Sequence, residues 1–351
     1  MKILILGVNG FIGNKLVKRI MKSTDWEVFG MDLSCSKLSH SINNPRFHFI
    51  EGDITIHKEW VDYHVKKCDV VLPLVAIATP AHYIKEPLHV FELGFEENLR
   101  IVRLCVKYGK RVLFPSTSEV YGMCSEPEFS EDTSNFVLGP IKKQRWIYAC
   151  AKQLLDRIIW AYGTEGKLDF TIFRPFNWIG PKLDDIDAAK EGSSRVVTQF
   201  IINIVMNEPI RLVDGGMQKR CFTYIEDGID CLIRIIENKK GLCRGEIFNI
   251  GNPNNECSMR GLAERLLDLY KNHPEAESFG ISSTEIIEVS SNEFYGEGYQ
   301  DISTRKPSIK KAQSILGWEP VVDLESALKQ TLDFFIEESK ATGLICNQKA
   351  V

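Results

Sequence analysis

Three glycines at fixed spacing, directly after a short apolar segment, constrain the fold of this chain more than any other feature. Lys2–Leu6 has the composition of a strand, and Phe11–Met21 has the periodicity of a helix. Glycine between them permits a tight turn and a close backbone approach, so amide groups at the helix N-terminus can hold a pyrophosphate. The pattern predicts a dinucleotide site formed by Gly7, Gly10, Phe11, Ile12 and Gly13.

Residues at the ends of the next two predicted strands indicate which dinucleotide binds. Asp32 closes the second strand about 20 residues beyond the last glycine, where a carboxylate can accept hydrogen bonds from both adenosine ribose hydroxyls. It should repel a 2'-phosphate, which favours NAD over NADP. Asp53 and Ile54, after the third strand, are weaker candidates for the adenine edge. The alternative for Asp32 is a surface or capping role.

The first half of the chain alternates strand and helix patterns, which is typical of a parallel sheet covered by helices on both faces. Helical periodicity appears at Phe11–Met21, Val90–Val106 and Trp146–Tyr162. The sequence therefore predicts an α/β fold with a doubly wound parallel sheet, in which residues 1–175 form a Rossmann domain. We predict its strands at Lys2–Leu6, Glu27–Asp32, Phe47–Glu51, Val70–Leu74, Arg111–Pro115 and Asp169–Arg174.

After Pro175 the pattern becomes less regular and predicts a smaller, mainly substrate-binding C-terminal lobe over residues 176–345. A helix at Ile225–Glu237 and a strand at Glu246–Ile250 are expected to return to the first sheet, so residues near 221–250 rejoin the first domain. Further helices are predicted at Arg195–Met206, Met259–Tyr270 and Leu324–Glu338.

Composition and charge exclude several classes of protein. The 351 residues are 44% hydrophobic, with a formal net charge of -4, so neither nucleic acid nor a membrane is an expected partner. No apolar run approaches the ~20 residues that cross a bilayer. The ten cysteines are scattered without a CxxC pair, and the seven histidines show no metal-ligand spacing. We expect a cytoplasmic protein with reduced thiols and no metal.

Tyr148 and Lys152, four positions apart at the start of a predicted helix, are candidates for proton transfer because they project from one helix face. A nearby ammonium favours the phenolate, so the tyrosine can accept a hydroxyl proton while hydride leaves the same carbon. Thr117 follows the fifth strand at the carboxyl edge of the sheet and can hydrogen-bond the reacting oxygen. Taken alone, these patterns also fit solvated helix residues and turn chemistry.

Together these motifs resemble the extended short-chain dehydrogenase/reductase family along nearly the whole chain. The resemblance is carried by the glycine turn, Thr117, Tyr148 with Lys152, and the segment Arg174–Asn177. It implies NAD as the cofactor, with Lys152 holding the nicotinamide ribose, and it suggests a homodimer. Family members include nucleotide-sugar epimerases, dehydratases and decarboxylases, so the family alone does not define the substrate.

A narrower resemblance, to the UDP-glucuronate decarboxylases, begins at Thr117-Ser118-Glu119, because related sugar 4,6-dehydratases carry an aspartate where Ser118 stands. Val75–Pro80, Arg145–Tyr148 and Arg305–Ser308 extend it to the decarboxylase half of the bifunctional enzymes that make 4-amino-4-deoxy-arabinose for polymyxin resistance.

This resemblance implies roles for individual residues. Glu119 would be the acid/base residue, and Arg305 would meet the substrate carboxylate or donate a proton, with Ser118 nearby. Without it, Arg195, Lys219 and Arg220 would be interpreted as solvated surface charges. The residues implied to contact UDP-glucuronic acid are Ala78, Tyr83, Thr117, Ser118, Asn177, Arg195, Arg211, Lys219, Arg220 and Tyr299.

The implied reaction is the NAD-dependent oxidative decarboxylation of UDP-glucuronic acid to UDP-4-keto-pentose, CO2 and NADH. UDP-xylose synthase, which returns the hydride to the ketone, is the main alternative. UDP-apiose/xylose synthase is another, although those enzymes carry cysteine at the Ser118 position. A non-enzymatic NAD sensor is disfavoured because Tyr148 and Lys152 are intact. The bifunctional enzymes carry a formyltransferase domain before this fold, whereas Met1 directly precedes the first strand, so we expect decarboxylase activity alone.

Overall fold

The computed structural model describes residues 1–276 and 283–344, and its centre is a seven-stranded sheet. The strands of this sheet are β1 (Lys2–Leu6), β2 (Glu27–Asp32), β3 (Phe47–Glu51), β4 (Val70–Pro73), β5 (Arg111–Pro115), β6 (Phe170–Pro175) and β11 (Glu246–Ile250). Their order is β11-β6-β5-β4-β1-β2-β3, and every pairing is parallel. The predicted doubly wound parallel sheet is confirmed.

The strand order reverses at β1, which pairs with β2 on one side and with β4 on the other. At such a point the connections leave the sheet in opposite directions, and a crevice opens at the carboxyl ends of the strands. The glycine turn follows β1 at this edge, and Thr117 follows β5. The topology therefore brings the predicted cofactor and catalytic residues to one side of the molecule.

Helices cover both faces of the sheet and build the second lobe. They are α1 (Phe11–Ser23), α2 (Lys58–Lys67), α3 (Pro80–Lys85), α4 (Pro87–Phe91), α5 (Asn98–Tyr108), α6 (Trp146–Thr164), α7 (Ile186–Lys190), α8 (Val196–Val205), α9 (Ile225–Glu237), α10 (Met259–Lys271), α11 (Ser291–Tyr295), α12 (Lys310–Leu316) and α13 (Leu324–Ala341). Within the described ranges, no helix has the length and apolar character needed to cross a membrane.

The helix predicted at Val90–Val106 differs from the observed structure, because a π-helical turn at Glu92–Glu97 separates α4 from α5. The side chain of Asn98 stabilises this π-helical turn. Its amide donates to the carbonyl oxygens of Leu93 (3.0 Å) and Gly94 (3.2 Å) within the turn, and to that of Val75 (3.1 Å) after β4. The π turn thereby ties this helix to the segment that follows β4 at the site.

Side chains of the central strands alternate between two apolar cores, one on each face of the sheet. In β1, Ile3 and Ile5 belong to one core, whereas Leu4 and Leu6 belong to the other. All four side chains are fully buried. Burial on both faces explains why this strand is apolar throughout rather than alternating in sequence.

The second lobe is built from short strands and longer helices. Its strands are β7 (Trp178–Ile179), β8 (Ile210–Val213), β9 (Lys219–Cys221), β10 (Thr223–Tyr224), β12 (Glu256–Ser258), β13 (Ile286–Val289) and β14 (Thr304–Arg305). β14 and β12 flank β9, which places Arg305 beside Arg220. The division at residues 1–175 and 176–345 stays a prediction, and residue 345 lies outside the described residues.

Candidate active site

A cleft of about 800 Å³ extends from the glycine turn across the carboxyl edge of the sheet to β8 and β9. Residues of both halves of the chain line it. The predicted site residues that line it are Gly7, Gly10, Phe11, Ile12, Gly13, Ala78, Tyr83, Thr117, Ser118, Glu119, Tyr148, Lys152, Asn177, Arg195, Arg211, Arg220, Tyr299 and Arg305. Asp32, Asp53, Ile54 and Lys219 lie outside its lining.

The glycine turn has a shape that other residues could not adopt. Gly7 has a φ of +84°, in the left-handed region, and a Cβ on Gly13 would lie 2.6 Å from the carbonyl oxygens of Gly7 and Val8. The turn therefore packs backbone against backbone and leaves the N-terminus of α1 open to the cleft. A pyrophosphate fits there, because the first-turn amides of α1 have no partner inside the helix.

Asp32 lies beside this turn at the end of β2. Its carboxylate accepts hydrogen bonds from the backbone N–H groups of Asn9 (2.7 Å) and Leu33 (2.8 Å). Burial raises the pKa of Asp32, and these two donors oppose that effect. The carboxylate is thus fixed next to the glycine turn, as a ribose-binding residue requires.

Asp53 and Ile54 have structural partners of their own. The Asp53 carboxylate accepts hydrogen bonds from both the backbone N–H and the hydroxyl of Thr55, each at 2.7 Å. The Ile54 side chain is buried in one of the two cores. Their proposed contact with adenine stays a prediction, and the observed contacts are those of a turn and a core residue.

Tyr148 and Tyr83 form the wall of the cleft next to Thr117. Their rings are stacked with centroids 4.9 Å apart and planes 11° apart, and both are buried. Burial and then the Glu119 charge raise the pKa of Tyr148, while a hydrogen bond with Thr117 opposes them. The tyrosine is therefore a phenol at neutral pH, and its deprotonation needs help from a positive charge.

Lys152 is the nearest such charge on the same helix face, although in this structure its ammonium group donates to the carbonyl oxygen of Pro115 at 2.7 Å. Burial lowers the pKa of Lys152 to about 8, and the Asp156 charge partly opposes this effect. The ammonium group of Lys152 is thus held at the end of β5, in the same cleft as Tyr148.

Glu119 joins two arginines in the floor of the cleft. Its Oε1 lies 2.8 Å from Arg305 Nη2, and its Oε2 lies 2.9 Å from Arg145 Nη2. Burial alone would raise the pKa of Glu119, but the charges of Arg145 and Arg305 outweigh it and lower the pKa to about 2. Arg305 also donates to the Ser118 hydroxyl at 3.2 Å. The structure thereby brings together the three residues whose association was implied only by resemblance.

Arg145 is the functional candidate that the sequence analysis missed. It is 2% exposed, and its Nε and Nη1 are buried without a hydrogen-bond partner in the described part of the chain. It precedes Tyr148 by three residues, so it lies one helical turn away on the same side. That spacing was the available signal, since a charged residue on the inner face of a helix needs a partner.

Arg220 and Lys219 face opposite sides of β9. Arg220 is buried and pairs with Asp301 at 2.7 Å, whereas Lys219 is exposed and pairs with Glu256 at 3.6 Å. Adjacent residues of a strand alternate in this way. Only Arg220 of the two therefore reaches the cleft.

Tyr299 and Arg195 close the cleft at two places. Tyr299 stacks on Tyr295 with ring centroids 4.0 Å apart, and Arg145 lies 5.5 Å from the Tyr299 ring. Arg195 pairs with Asp184 at 2.8 Å and lies 5.1 Å from the ring of Phe11. Arg195 thus contacts the glycine-rich segment as well as the second lobe.

Three further predicted residues line the cleft with little side-chain contact of their own. Asn177 has a φ of 41° and donates to the carbonyl oxygen of Cys221 at 3.3 Å. Ala78 lies in the segment between β4 and α3. Arg211 is exposed, and within residues 1–276 and 283–344 its side chain forms no hydrogen bond or ion pair, whereas its backbone pairs with β13. Its guanidinium is therefore free to bind an anionic group.

Comparison with known proteins places the chain in a family. The model of the NAD dependent epimerase/dehydratase family matches residues 3–251. The chain belongs to this family. It is therefore an enzyme of the NAD-dependent epimerase/dehydratase type, and its cofactor is NAD. The extended short-chain dehydrogenase fold expected from the motifs is confirmed.

Several solved structures are similar over nearly their whole length. PbgP3 protein from Burkholderia pseudomallei is 56% identical, with 97% of each chain covered and a TM-score of 0.87. UDP-glucuronic acid 4-epimerase from Bacillus cereus, in complex with UDP-glucuronic acid and NAD, is 24% identical, with 96% of this chain and 100% of that chain covered and a TM-score of 0.78. A dTDP-glucose 4,6-dehydratase from Bacillus anthracis, in complex with NAD, is 19% identical, with 97% and 98% covered and a TM-score of 0.77. The last two likenesses concern the fold.

The fixed carboxylate of Asp32 leads to a prediction on cofactor selectivity. We expect NAD to bind at least about tenfold more tightly than NADP, because the 2'-phosphate would approach a half-buried negative charge. Calorimetric titration of the wild type with both cofactors measures the ratio, and Asp32→Asn should reduce it. Equal affinities of the wild type for NAD and NADP would show that Asp32 does not select between the two cofactors.

Proposed function

We propose that the protein catalyses the NAD-dependent oxidative decarboxylation of UDP-glucuronic acid, with UDP-4-keto-pentose, CO2 and NADH as products. The observation that carries the proposal is the buried cluster of Glu119 with Arg145 and Arg305, in the same cleft as Tyr148. Tyr148 and Lys152, on one helix, would serve the oxidation. The arginine cluster supplies what a carboxylate-bearing sugar additionally needs.

The charge balance of the cluster favours an anionic substrate. Three guanidinium groups, of Arg145, Arg220 and Arg305, face two carboxylates, Glu119 and Asp301, which leaves one positive charge (3 − 2). Uncompensated charge in a buried site is costly, and a substrate carboxylate would balance it. The buried Nε and Nη1 atoms of Arg145 and the Nε of Arg305 have no protein partner in the described residues and can donate to it.

The remaining cleft arginines support a nucleoside diphosphate next to the sugar. The guanidinium of Arg211 on β8 has no protein partner in the described ranges, and Arg195 lies between the second lobe and Phe11. Guanidinium groups bind phosphate oxygens through charge-assisted hydrogen bonds. The sugar would then lie between these arginines and the glycine turn, with its carboxylate toward Arg145 and Arg305.

The oxidation step uses Tyr148, Thr117 and Lys152. Tyr148 accepts the proton of the C4 hydroxyl, Thr117 orients the same oxygen, and Lys152 supplies the positive charge that favours the phenolate. The glycine turn and Asp32 would hold NAD, which would supply the acceptor for the hydride of C4. Because burial raises the pKa of Tyr148, the tyrosine needs this nearby charge in order to react at neutral pH.

The decarboxylation step uses the arginine cluster. A ketone at C4 lies β to the carboxylate, so the bond between C5 and C6 can break with its electrons delocalised into an enolate. CO2 leaves, and C5 gains a proton from the Arg305 guanidinium, which regains one from water. Tyr148 returns the C4 hydroxyl proton to water, so the protons balance. The low pKa of Glu119, about 2, keeps it ionised before the reaction, so it holds both guanidinium groups in place while the carboxylate is lost.

A homodimer is also proposed, and exposed apolar side chains on α6 support it. Leu154 and Trp160 are each 48% exposed on this helix. Large apolar side chains on an outer helix face are typical of an interface between subunits.

Substrate comparison tests the proposed role of the arginine cluster. With NAD, we expect UDP-glucuronic acid to produce NADH at a kcat/KM at least about a hundredfold above that for UDP-glucose, because only the former carries a carboxylate for the cluster. The rise in NADH absorbance measures both rates. Comparable rates with the two sugars would contradict the proposed substrate class.

A further inference from the structure

The helix that carries Tyr148 and Lys152 carries a buried carboxylate one turn further on, Asp156. Asp156 is 4% exposed and Lys152 is 1% exposed. Residues four apart on a helix are neighbours on one face, with Cβ atoms about 5–6 Å apart. Asp156 is therefore close to the lysine ammonium in the buried interior, where charges act strongly on each other.

Asp156 is held in place by residues at the ends of two neighbouring strands. Its Oδ2 accepts hydrogen bonds from Ser116 Oγ at 2.8 Å and from Arg174 Nη2 at 3.0 Å. Ser116 directly precedes Thr117, so the first of these bonds joins α6 to the segment that carries the candidate oxygen-orienting residue. Arg174 is itself fixed, because its Nη1 donates to the Tyr121 hydroxyl at 2.9 Å.

The second oxygen of this carboxylate, Oδ1, is buried and has no hydrogen-bond partner in the described ranges. Its charge is balanced through space by Arg174 and Lys152. Conversely, Asp156 is the charged group that acts on Lys152. The two residues thus depend on each other electrostatically, although Asp156 does not line the cleft.

We propose that Asp156 is a positioning residue for the reaction: its carboxylate keeps Lys152 charged and, through Ser116, fixes the segment that presents Thr117. The inference rests on the roles proposed for Tyr148 and Lys152, and it does not depend on which product leaves. A purely structural carboxylate would change stability but not the pH dependence of turnover.

The sign of the pH effect follows from the charge of Asp156. Burial lowers the pKa of Lys152 to about 8 while Asp156 raises it, so removing the carboxylate charge lowers that pKa further. Turnover should fall as the pH rises through the pKa of Lys152, because the neutral amine no longer favours the Tyr148 phenolate. The other charged and titratable groups around this pair are Tyr148 on α6, Arg174 on β6 and Tyr121, whose hydroxyl accepts from Arg174.

The experiment measures kcat/KM against pH, across neutral and alkaline values, for the wild type and Asp156→Asn with NAD and UDP-glucuronic acid. We expect the alkaline limb of this profile to move to lower pH by about one unit or more, since a nearby opposite charge shifts the pKa of a buried group by about that amount. Ser116→Ala removes a hydrogen bond from the same carboxylate but no charge, so it should leave the limb in place. Asp227→Asn, at another buried aspartate far from the cleft, is the stability control.

The outcomes separate this inference from the proposed function. If the wild type turns over and Asp156→Asn keeps the wild-type alkaline limb, Asp156 is structural and the inference is overturned. If the wild type does not form NADH, the proposed function fails first. If Asp156→Asn does not fold, the pH profile of Lys152→Arg provides the test. Because a guanidinium does not titrate in this pH range, the alkaline limb should disappear in that variant. A limb that persists in Lys152→Arg does not belong to Lys152 and overturns the inference.

Discussion

Replacing Arg305 by methionine is expected to lower the rate of CO2 release from UDP-glucuronic acid by about a hundredfold or more. Arg305 is 4% exposed and its guanidinium lies 2.8 Å from Glu119, so its loss removes both a carboxylate ligand and a partner of the acid/base residue. The pKa of Glu119 should rise, because Arg305 lowers it in the wild type. The measurement is release of labelled CO2, with NAD affinity determined on the same samples.

Two further variants make this result specific. Arg305→Lys should restore only part of the rate, since a point charge cannot reproduce the planar fork that binds a carboxylate and Ser118 together. Arg260→Met removes an arginine that pairs with Glu288 outside the cleft and should leave the rate unchanged. NAD affinity should be preserved in Arg305→Met, because the glycine turn and Asp32 are far from β14 along the cleft. Wild-type CO2 release by Arg305→Met would show that this arginine is not part of the reaction.

Tyr148→Phe is expected to lower turnover by about a hundredfold or more while leaving NAD bound. Phenylalanine keeps the ring stacked on Tyr83, at 4.9 Å between centroids in the wild type, and loses only the hydroxyl that accepts the substrate proton. Single-turnover NADH formation measures the chemical step. Lys152→Met should weaken NAD binding as well as the rate, because Lys152 has two proposed tasks.

Tyr108→Phe is the matched control for the tyrosine. Its hydroxyl donates to Asp62 of α2 at 2.7 Å, and Tyr108 does not line the cleft, so turnover should stay at the wild-type value. A near-normal rate in Tyr148→Phe would instead show that another group in the cleft accepts the proton.

The fold was predictable because its signals are local. The glycine turn needs one left-handed residue and one position without a Cβ, at Gly7 and Gly13, and both requirements are visible as glycine in the sequence. The central strands are apolar on both faces, and a helical pattern follows most of them. The π turn at Glu92–Glu97 was missed, because it depends on contacts between Asn98 and Val75 that no periodicity encodes.

The candidate site was predictable only in part, because its central contacts are between residues far apart in sequence. Arg305 meets Ser118 across 187 positions, and Arg145 meets Glu119 across 26. Resemblance indicated the first association but assigned no role to Arg145. Similarly, the resemblance placed both Lys219 and Arg220 at the substrate. Because β9 is only three residues long, its sequence shows no alternation that distinguishes the side chain facing the cleft from the one facing solvent.

The most direct measurement is the fate of the sugar and its carboxyl carbon in one reaction with NAD. UDP-glucuronic acid labelled at C6 is incubated with the protein and a stoichiometric amount of NAD, and labelled CO2, NADH absorbance and the NMR spectrum of the nucleotide sugar are recorded together. The proposed function predicts labelled CO2 and NADH in equal amounts, with UDP-4-keto-pentose as the sugar product. Labelled CO2 with UDP-xylose and no rise in NADH, or a sugar that keeps its label, would contradict it.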